Sequence, residues 1–473
     1  MIRIYCDWNV VSNFKKDEFK EIRDFISDNK NSILFPYSPA HFSDLMKSYN
    51  PDNSCLFDED LQTLECLSDK HLLRWNDKEK ILEVLFAKPT EFFEKEKDFY
   101  LNYSISNLNF EQIFNDLDND ILGVNFGQLI KSLFQSIPSI VPITNEHSEI
   151  MQKMFPNLKN NSSMWEFMND SFLMGQKLLE NKDYYKEIRN TTKPYFHLEN
   201  CKIDETIQQI EKFLQTEKTG LTFQDYVLSP YKNRKEPVSR YEFYTNAYLM
   251  LDMLGCKSDK LPKPTDNMQN IQTDAQHSFY AAHCDFFVTS DKKLSYKSQI
   301  LYKQLNIATK VIEPQNISDI ILPLIHKQNK SEYFLQEVMQ FISQDNLVEI
   351  YPKSKENQTD TFAYKLPYFY FDFFNYCILQ QYQEDNVAVF AFVKRFQNYS
   401  NFLYFTETEN AIDEICNFFG YEDMNEQAEQ KRKFIYGDNN VDFTWQFNNG
   451  VIKLEKEEDT KRPILRYYVD LLK

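Results

Sequence analysis

A strand-then-helix alternation opens the sequence, breaks off near residue 78 and resumes near residue 239. Arg3 to Val11 (Arg-Ile-Tyr-Cys-Asp-Trp-Asn-Val-Val) reads as a β-rich start. It runs through polar Lys15 to Lys20 into the helical spacing Phe19, Ile22, Phe25 and Ile26. A second strand, Ser32 to Phe35, leads past Pro36 and Pro39 into a helix from His41 to Lys47. The same alternation returns as helices over Tyr241 to Leu254 and Asp274 to His283, a strand Phe286 to Thr289, a helix Tyr296 to Leu305 and a strand Lys310 to Ile312. Strands joined through helices pair in parallel, so the expected class is α/β, a central parallel sheet assembled from residues 1–78 and 239–326.

Between those halves, residues 79–238 carry helical periodicity and almost no strand signal. Apolar segments recur around Ile81 to Phe86, Phe126 to Phe134, Met164 to Leu178 and Ile207 to Phe213, which predicts a helical insertion. Residues 331–473 change character again. They mix the aromatic run Leu366-Pro-Tyr-Phe-Tyr-Phe-Asp-Phe-Phe-Asn-Tyr with a strand Val387 to Lys394, a strand Phe402 to Phe405 and a helix Ala411 to Phe419. Strands Phe443 to Phe447 and Val451 to Glu455 are joined by Asn448-Asn449-Gly450, a hairpin turn signal. A separate C-terminal α+β domain follows from this pattern. Its net charge of roughly −10 makes it a poor nucleic-acid clamp.

Composition removes several function classes. Only 8 of 473 residues are Gly, and neither Gly-Lys-Ser/Thr nor Gly-x-Gly-x-x-Gly occurs, which excludes a phosphate-cradling NTPase loop and a dinucleotide fingerprint. With 42% hydrophobic and 16% aromatic residues the chain can build a core, so global disorder is excluded. A net charge of −18 disfavours indiscriminate adhesion to nucleic acid or anionic lipid. The eight Cys form no Cys-x-x-Cys pair, the start lacks an apolar signal segment and no apolar run approaches a membrane span. Reduced thiols, a cytoplasmic location and no membrane partner are the expectations.

Carboxylates supply the chemistry. Ligands of open α/β sheets collect at the carboxyl ends of the strands. Asp7 ends the first strand, Asp291 follows Phe286-Phe287-Val288-Thr289, Asp274 opens the helix leading into that strand, and Asp44 lies one turn after His41. Carboxylates crowded into one cleft repel unless cations neutralise them, so Mg²⁺ or Mn²⁺ is the expected cofactor, held by Asp7, Asp44, Asp274 and Asp291.

These residues carry a resemblance. Ile4-Tyr5-Cys6-Asp7-Trp8-Asn9-Val10-Val11-Ser12 resembles the opening motif of PIN-like nucleases, a strand ending in Asp-x-Asn followed by a small hydroxyl residue. The run from Asp274 through Cys284-Asp285-Phe286-Phe287-Val288-Thr289-Ser290-Asp291 is similar to that family's second half, and Tyr37-Ser-Pro-Ala-His41-Phe-Ser-Asp44 resembles its middle acidic motif, where Glu is commoner. The resemblance covers residues 1 to 75 and 240 to 325 and says nothing of the rest. It implies a three-layer α/β/α PIN-like domain whose four acids bind divalent metal and hydrolyse phosphodiester bonds, in RNA by preference over DNA. Asn9 and Thr289 would donate hydrogen bonds to ligands or substrate, and Lys292, with Lys293, would meet the phosphate backbone.

Other features weigh less. His41 with Asp44, and Asp274 with His277, are helical neighbours and could form His-carboxylate metal sites, although a supporting role behind the acids is preferred for both histidines. His277 and His283 face different ways, so structural zinc is not expected; His283 should pack on Phe279 and Tyr280. Asp285 reads as a strand-start residue, the aromatic run Tyr364 to Tyr376 as core and Ser12 as lacking a triad. The expected function is a metal-dependent endonuclease, restrained as a toxin or anti-phage defence effector would be. A regulatory protein, or a second copy, would act through the helical insertion or the C-terminal domain. The alternatives are a non-catalytic scaffold on the same fold and a DNA-directed structure-specific nuclease.

Overall fold

The computed structural model describes residues 1–47, 54–102, 162–180, 201–216, 220–232, 236–257, 268–325, 331–342, 344–353, 359–382, 386–421, 424–437, 441–457 and 459–472, with positions 49, 135, 155, 186, 190 and 198. The first six strands are β1 (Ile2–Cys6), β2 (Ile33–Leu34), β3 (His71–Asn76), β4 (Ile81–Phe86), β5 (Phe286–Val288) and β6 (Lys310–Ile312). Four of them form a parallel sheet in the order β2-β1-β5-β6. Ile2 lies opposite Ile33, Ile4 opposite Phe286 and Phe286 opposite Lys310, so strands from either side of the helical stretch are direct neighbours. The chain is a mixed α/β protein with a parallel sheet, as the alternation predicts.

Side chains on these strands alternate between two apolar layers, which is why the strands read as nearly continuous hydrophobic runs. Ile2, Ile4, Cys6, Phe286 and Val288 pack on one face with Val10, Phe14, Phe42, Leu61 and Ile317. Tyr5 and Phe287 pack on the other with Tyr244, Tyr248, Phe279 and Leu301. Helices therefore cover both faces. The second layer is built by Arg240–Met253, Met268–Ala281 and Lys292–Gln304.

Several local expectations change. The strand predicted for Arg3 to Val11 stops at Cys6, because the Asp7 carboxylate accepts the Val10 N–H at 2.9 Å and starts a helix, Trp8–Asn13, in which Val10 and Val11 are buried. Ile81 to Phe86, predicted helical, is strand β4, paired antiparallel with β3 from Asn76 opposite Ile81 to His71 opposite Phe86. A six-residue run with five apolar positions has no decisive period of its own, and the pairing decides. Helices Met164–Glu180 and Ile203–Thr216 match the predicted segments, while Phe126 to Phe134 lies outside the described residues. The helix expected from Tyr296 begins at Lys292 because Asp291 caps it.

The C-terminal region forms a second, antiparallel sheet from β7 (Leu347–Tyr351), β8 (Thr361–Tyr370), β9 (Phe374–Tyr382), β10 (Val387–Val393), β11 (Phe443–Phe447), β12 (Gly450–Lys456) and β13 (Pro463–Asp470), in the order β11-β12-β13-β10-β9-β8-β7. Helices Phe334–Phe341, Phe405–Phe419 and Met424–Tyr436 pack on it through Phe334, Val338, Ile412, Ile415 and Phe434. The β11–β12 hairpin pivots at Gly450, where a Cβ would sit 2.0 Å from the Tyr468 carbonyl oxygen. Phe402 to Phe405, predicted as a strand, is an irregular segment running into a helix at Phe405. Its rings are used otherwise: Phe402 lies 4.3 Å and Tyr404 5.9 Å from the Arg3 guanidinium.

Arg3 joins the two sheets. Its guanidinium is buried and holds Glu407 at 2.6 Å, while Lys394 holds the other Glu407 oxygen at 2.7 Å. Burial raises the Glu407 carboxyl, but Arg3 and Lys394 outweigh it and keep the group well below the carboxylate range. Tyr399 N–H to Ala282 O at 2.9 Å and the Asn398 amide to Cys284 O at 2.9 Å continue the seam. The seam lies at the amino-terminal end of the parallel strands, away from their carboxyl ends. Among the described residues no helix is long and apolar enough to cross a membrane.

Candidate active site

At the carboxyl edge of the parallel sheet, β1 delivers Asp7 and β5 delivers Thr289 and then Asp291. The Thr289 hydroxyl donates to Asp7 Oδ2 at 2.6 Å and accepts the Asp291 N–H at 3.0 Å, so one side chain ties both strand ends together. Asp291 uses Oδ1 to cap the helix Lys292–Gln304, accepting the Lys293 and Leu294 N–H groups at 2.7 and 3.1 Å. Among the described residues its Oδ2 accepts no hydrogen bond. Burial raises the Asp7 carboxyl to about 6; the Thr289 and Val10 hydrogen bonds oppose that rise and the Asp291 charge adds to it.

The other two acids come from helices. Asp44, on helix Pro39–Lys47, accepts from His277 Nε2 at 2.9 Å and from Lys47 at 2.5 Å. Burial raises Asp44, but His277 and Lys47 outweigh it and bring the group down to about 2. Asp274, on Met268–Ala281, is half-buried, and among the described residues no hydrogen bond reaches it. Burial, followed among the unfavourable contributions by the charges of Asp291 and Asp44, pushes its carboxyl well above the usual range, against the opposing charge of Lys297. Asp7 thus feels Asp291, and Asp274 feels both Asp291 and Asp44: the four acids share one field.

The remaining residues singled out in the sequence fall into distinct places. His277 is buried, with Nδ1 2.8 Å from the Tyr5 hydroxyl, which in turn lies 2.6 Å from Ser38 Oγ. It pairs with Asp44 across two helices, not with its helical neighbour Asp274. His41 is also buried; its Nε2 donates to Cys6 O at 3.0 Å and its Nδ1 accepts the Ser38 N–H at 3.1 Å. Burial and then the adjacent His277 lower it to about 3, so it is a neutral brace. Asn9 is exposed on the first turn after Asp7, and Lys292 is exposed beside Asp291 in a shallow pocket of about 160 Å³ with Ser295, Tyr296 and Glu313. His283 packs on Phe279 at 4.9 Å, and Asp285 accepts the Arg3 N–H at 2.8 Å at the far end of the sheet.

Four contributors escaped the sequence reading: Tyr5, Asp252, Lys297 and Glu313. Lys297 is buried and holds Asp252 at 2.7 Å. Nothing in one dimension marks Asp252 and Lys297, which sit inside helices, or Tyr5, which sits inside the apolar strand β1. Glu313 follows β6 directly, and the rule that found Asp7 and Asp291 reaches it too. A cleft of about 980 Å³ lies elsewhere, between helices Lys20–Asp28 and Ser54–Ser68, and contains none of the four acids. The acidic edge is distinguished by its charges, not by volume.

A hard divalent cation fits this donor set in kind. Among the described residues no three His, Cys, Asp or Glu side chains are arranged to ligate one ion by themselves. Mg²⁺ does not need them to be, because it keeps several waters and takes one or two carboxylates directly. Among the described residues the buried Tyr248 hydroxyl has no hydrogen-bond partner, and the charges acting on it most strongly are Asp274, Asp291 and Asp252. An orphaned donor facing acids suits a hydrated ion or a phosphate oxygen. The sequence matches no protein-family model, no curated protein and no solved structure.

Proposed function

We propose that this chain is a metal-dependent nuclease of PIN-like type, hydrolysing phosphodiester bonds with RNA preferred over DNA. The observation that carries the reading is the convergence of Asp7, Asp291, Asp44 and Asp274 from two strand ends and two helices into one field, with Asp7 and Asp274 pushed toward the protonated form. Such a cluster costs stability until a cation enters, which is the economy of a site shaped for metal.

Asp7 and Asp291 would hold the ion, with Thr289 fixing their separation, and Asp274 would complete the donors. Asp44, held by His277 and Lys47, would orient the attacking water. A bound divalent ion supplies a water of lowered pKa and positive charge for the phosphate in its transition state. Lys292 and Lys293 stand where the phosphate backbone of a substrate would pass. In a cell such an activity would need restraint, and the sheet-to-sheet seam gives the C-terminal region a direct mechanical connection to β1 for that purpose.

The test is cleavage of end-labelled RNA and DNA panels by purified protein with Mg²⁺, Mn²⁺ or EDTA, beside Asp7→Asn and Asp291→Asn. Asn caps helices as well as Asp does, so both variants should keep the fold. Metal-dependent cutting that both substitutions abolish supports the proposal. Normal metal binding without cutting of any substrate would favour a non-catalytic binding protein.

A further inference from the structure

The buried ammonium of Lys297 pairs with Asp252, an acid that the hydrolytic proposal does not use. It reaches Asp252 Oδ1 at 2.7 Å, with side-chain exposures of 2% and 5%, and lies 4.7 Å from the centre of the Tyr248 ring. Three neighbouring helices supply the group: Asp252 from Arg240–Met253, Asp274 from Met268–Ala281 and Lys297 from Lys292–Gln304. Asp291 begins the helix that carries Lys297, and long side chains on a helix lean toward its N-terminus, so the ammonium is drawn toward the acidic edge. Burial disfavours the charged lysine, but Asp252 and then Asp274 more than restore it. Of the favourable charges acting on Asp274, that of Lys297 is the largest.

We propose that Lys297 is a built-in second cation of the acidic site, held by Asp252 and the Tyr248 ring, so that the site takes a single divalent ion. In two-metal hydrolases a pair of ions clamps the attacking and leaving oxygens. Here one of those charges is covalently part of the chain. The charge balance agrees. Asp7, Asp44, Asp252, Asp274 and Asp291 carry five negative charges when ionised, and Lys47 and Lys297 remove two. One divalent ion then leaves the site slightly negative, whereas two would make it positive before any phosphate arrived. This inference rests on the hydrolytic reading of the same acids.

Manganese titration followed by electron paramagnetic resonance tests it without reference to activity. The unaltered chain should bind one Mn²⁺. The double variant Asp252→Asn/Lys297→Met removes both buried charges together, so neither is stranded. It should bind Mn²⁺ about tenfold more tightly, because the ammonium no longer competes for Asp274. Two ions in the unaltered chain, or an affinity unchanged or weakened in the double variant, would overturn the proposal. The count in the unaltered chain decides even if the double variant does not fold. No Mn²⁺ binding at all in the unaltered chain is a different result, and removes the metal reading itself.

Discussion

Replacing Asp7 with Asn should abolish cleavage and, in the absence of metal, make the chain more stable. Asp7 is 1% exposed, and burial lifts its carboxyl from 3.8 to about 6. A folded-state pKa above the unfolded value means that the folded chain binds more protons across that window, so stability falls as pH rises from about 4 to about 6. A gap of about two pH units corresponds to about 3 kcal/mol held against folding near pH 7. Asn presents the same oxygen to the Val10 N–H, and the Thr289 hydroxyl can turn from donor to acceptor to meet the new amide. Urea denaturation in EDTA measures the effect. The variant should gain up to about 3 kcal/mol near pH 7 and roughly half of that near pH 5, where the native carboxyl is mostly protonated. Saturating Mg²⁺ should close or reverse the gap, since it binds only the unaltered site well. A variant no more stable than the unaltered chain at either pH in EDTA would refute the reasoning.

Three further outcomes follow from the same geometry. His277→Ala removes the 2.9 Å hydrogen bond that orients Asp44 and should lower the cleavage rate by about 10- to 100-fold with the fold retained; an unchanged rate contradicts this. Arg3→Met leaves Glu407 buried with Lys394 as its one remaining side-chain cation among the described residues and should cost about 3–5 kcal/mol in urea denaturation, a cost that a merely exposed pair would not show. Cleavage under limiting Mg²⁺ should rise with pH through about 6 as Asp7 loses its proton, and a flat profile across that range would count against Asp7 as a metal-holding group.

Much of the candidate site was legible because its acids obey positional rules. Asp7 and Asp291 follow apolar strands directly, and a parallel sheet carries such residues to one edge whatever lies between them in sequence. Asp44 and Asp274 were readable as helix residues flanking those strands. Lys297 was not, because a lysine inside a helix with four lysines looks solvated until Asp252, forty-five positions earlier, is known to meet it. Likewise the apolar run Phe402 to Phe405 has the composition of a strand, but the Phe402 and Tyr404 rings lie against the buried Arg3 guanidinium instead. The β3–β4 hairpin shows the same limit: a six-residue run with five apolar positions fits either period, and the partner strand breaks the tie. What a residue does beside its chain neighbours can be read locally, whereas what it does against a distant segment depends on pairing that one dimension does not carry.

The most direct test of the central claim is the chemistry of the cut ends. End-labelled RNA incubated with the chain in Mg²⁺ should yield fragments without 2′,3′-cyclic phosphate, because the attacking group is water and not the neighbouring 2′-hydroxyl. EDTA and Asp291→Asn should each stop their formation. Cyclic phosphate ends, or cutting that survives both EDTA and Asp291→Asn, would contradict the account.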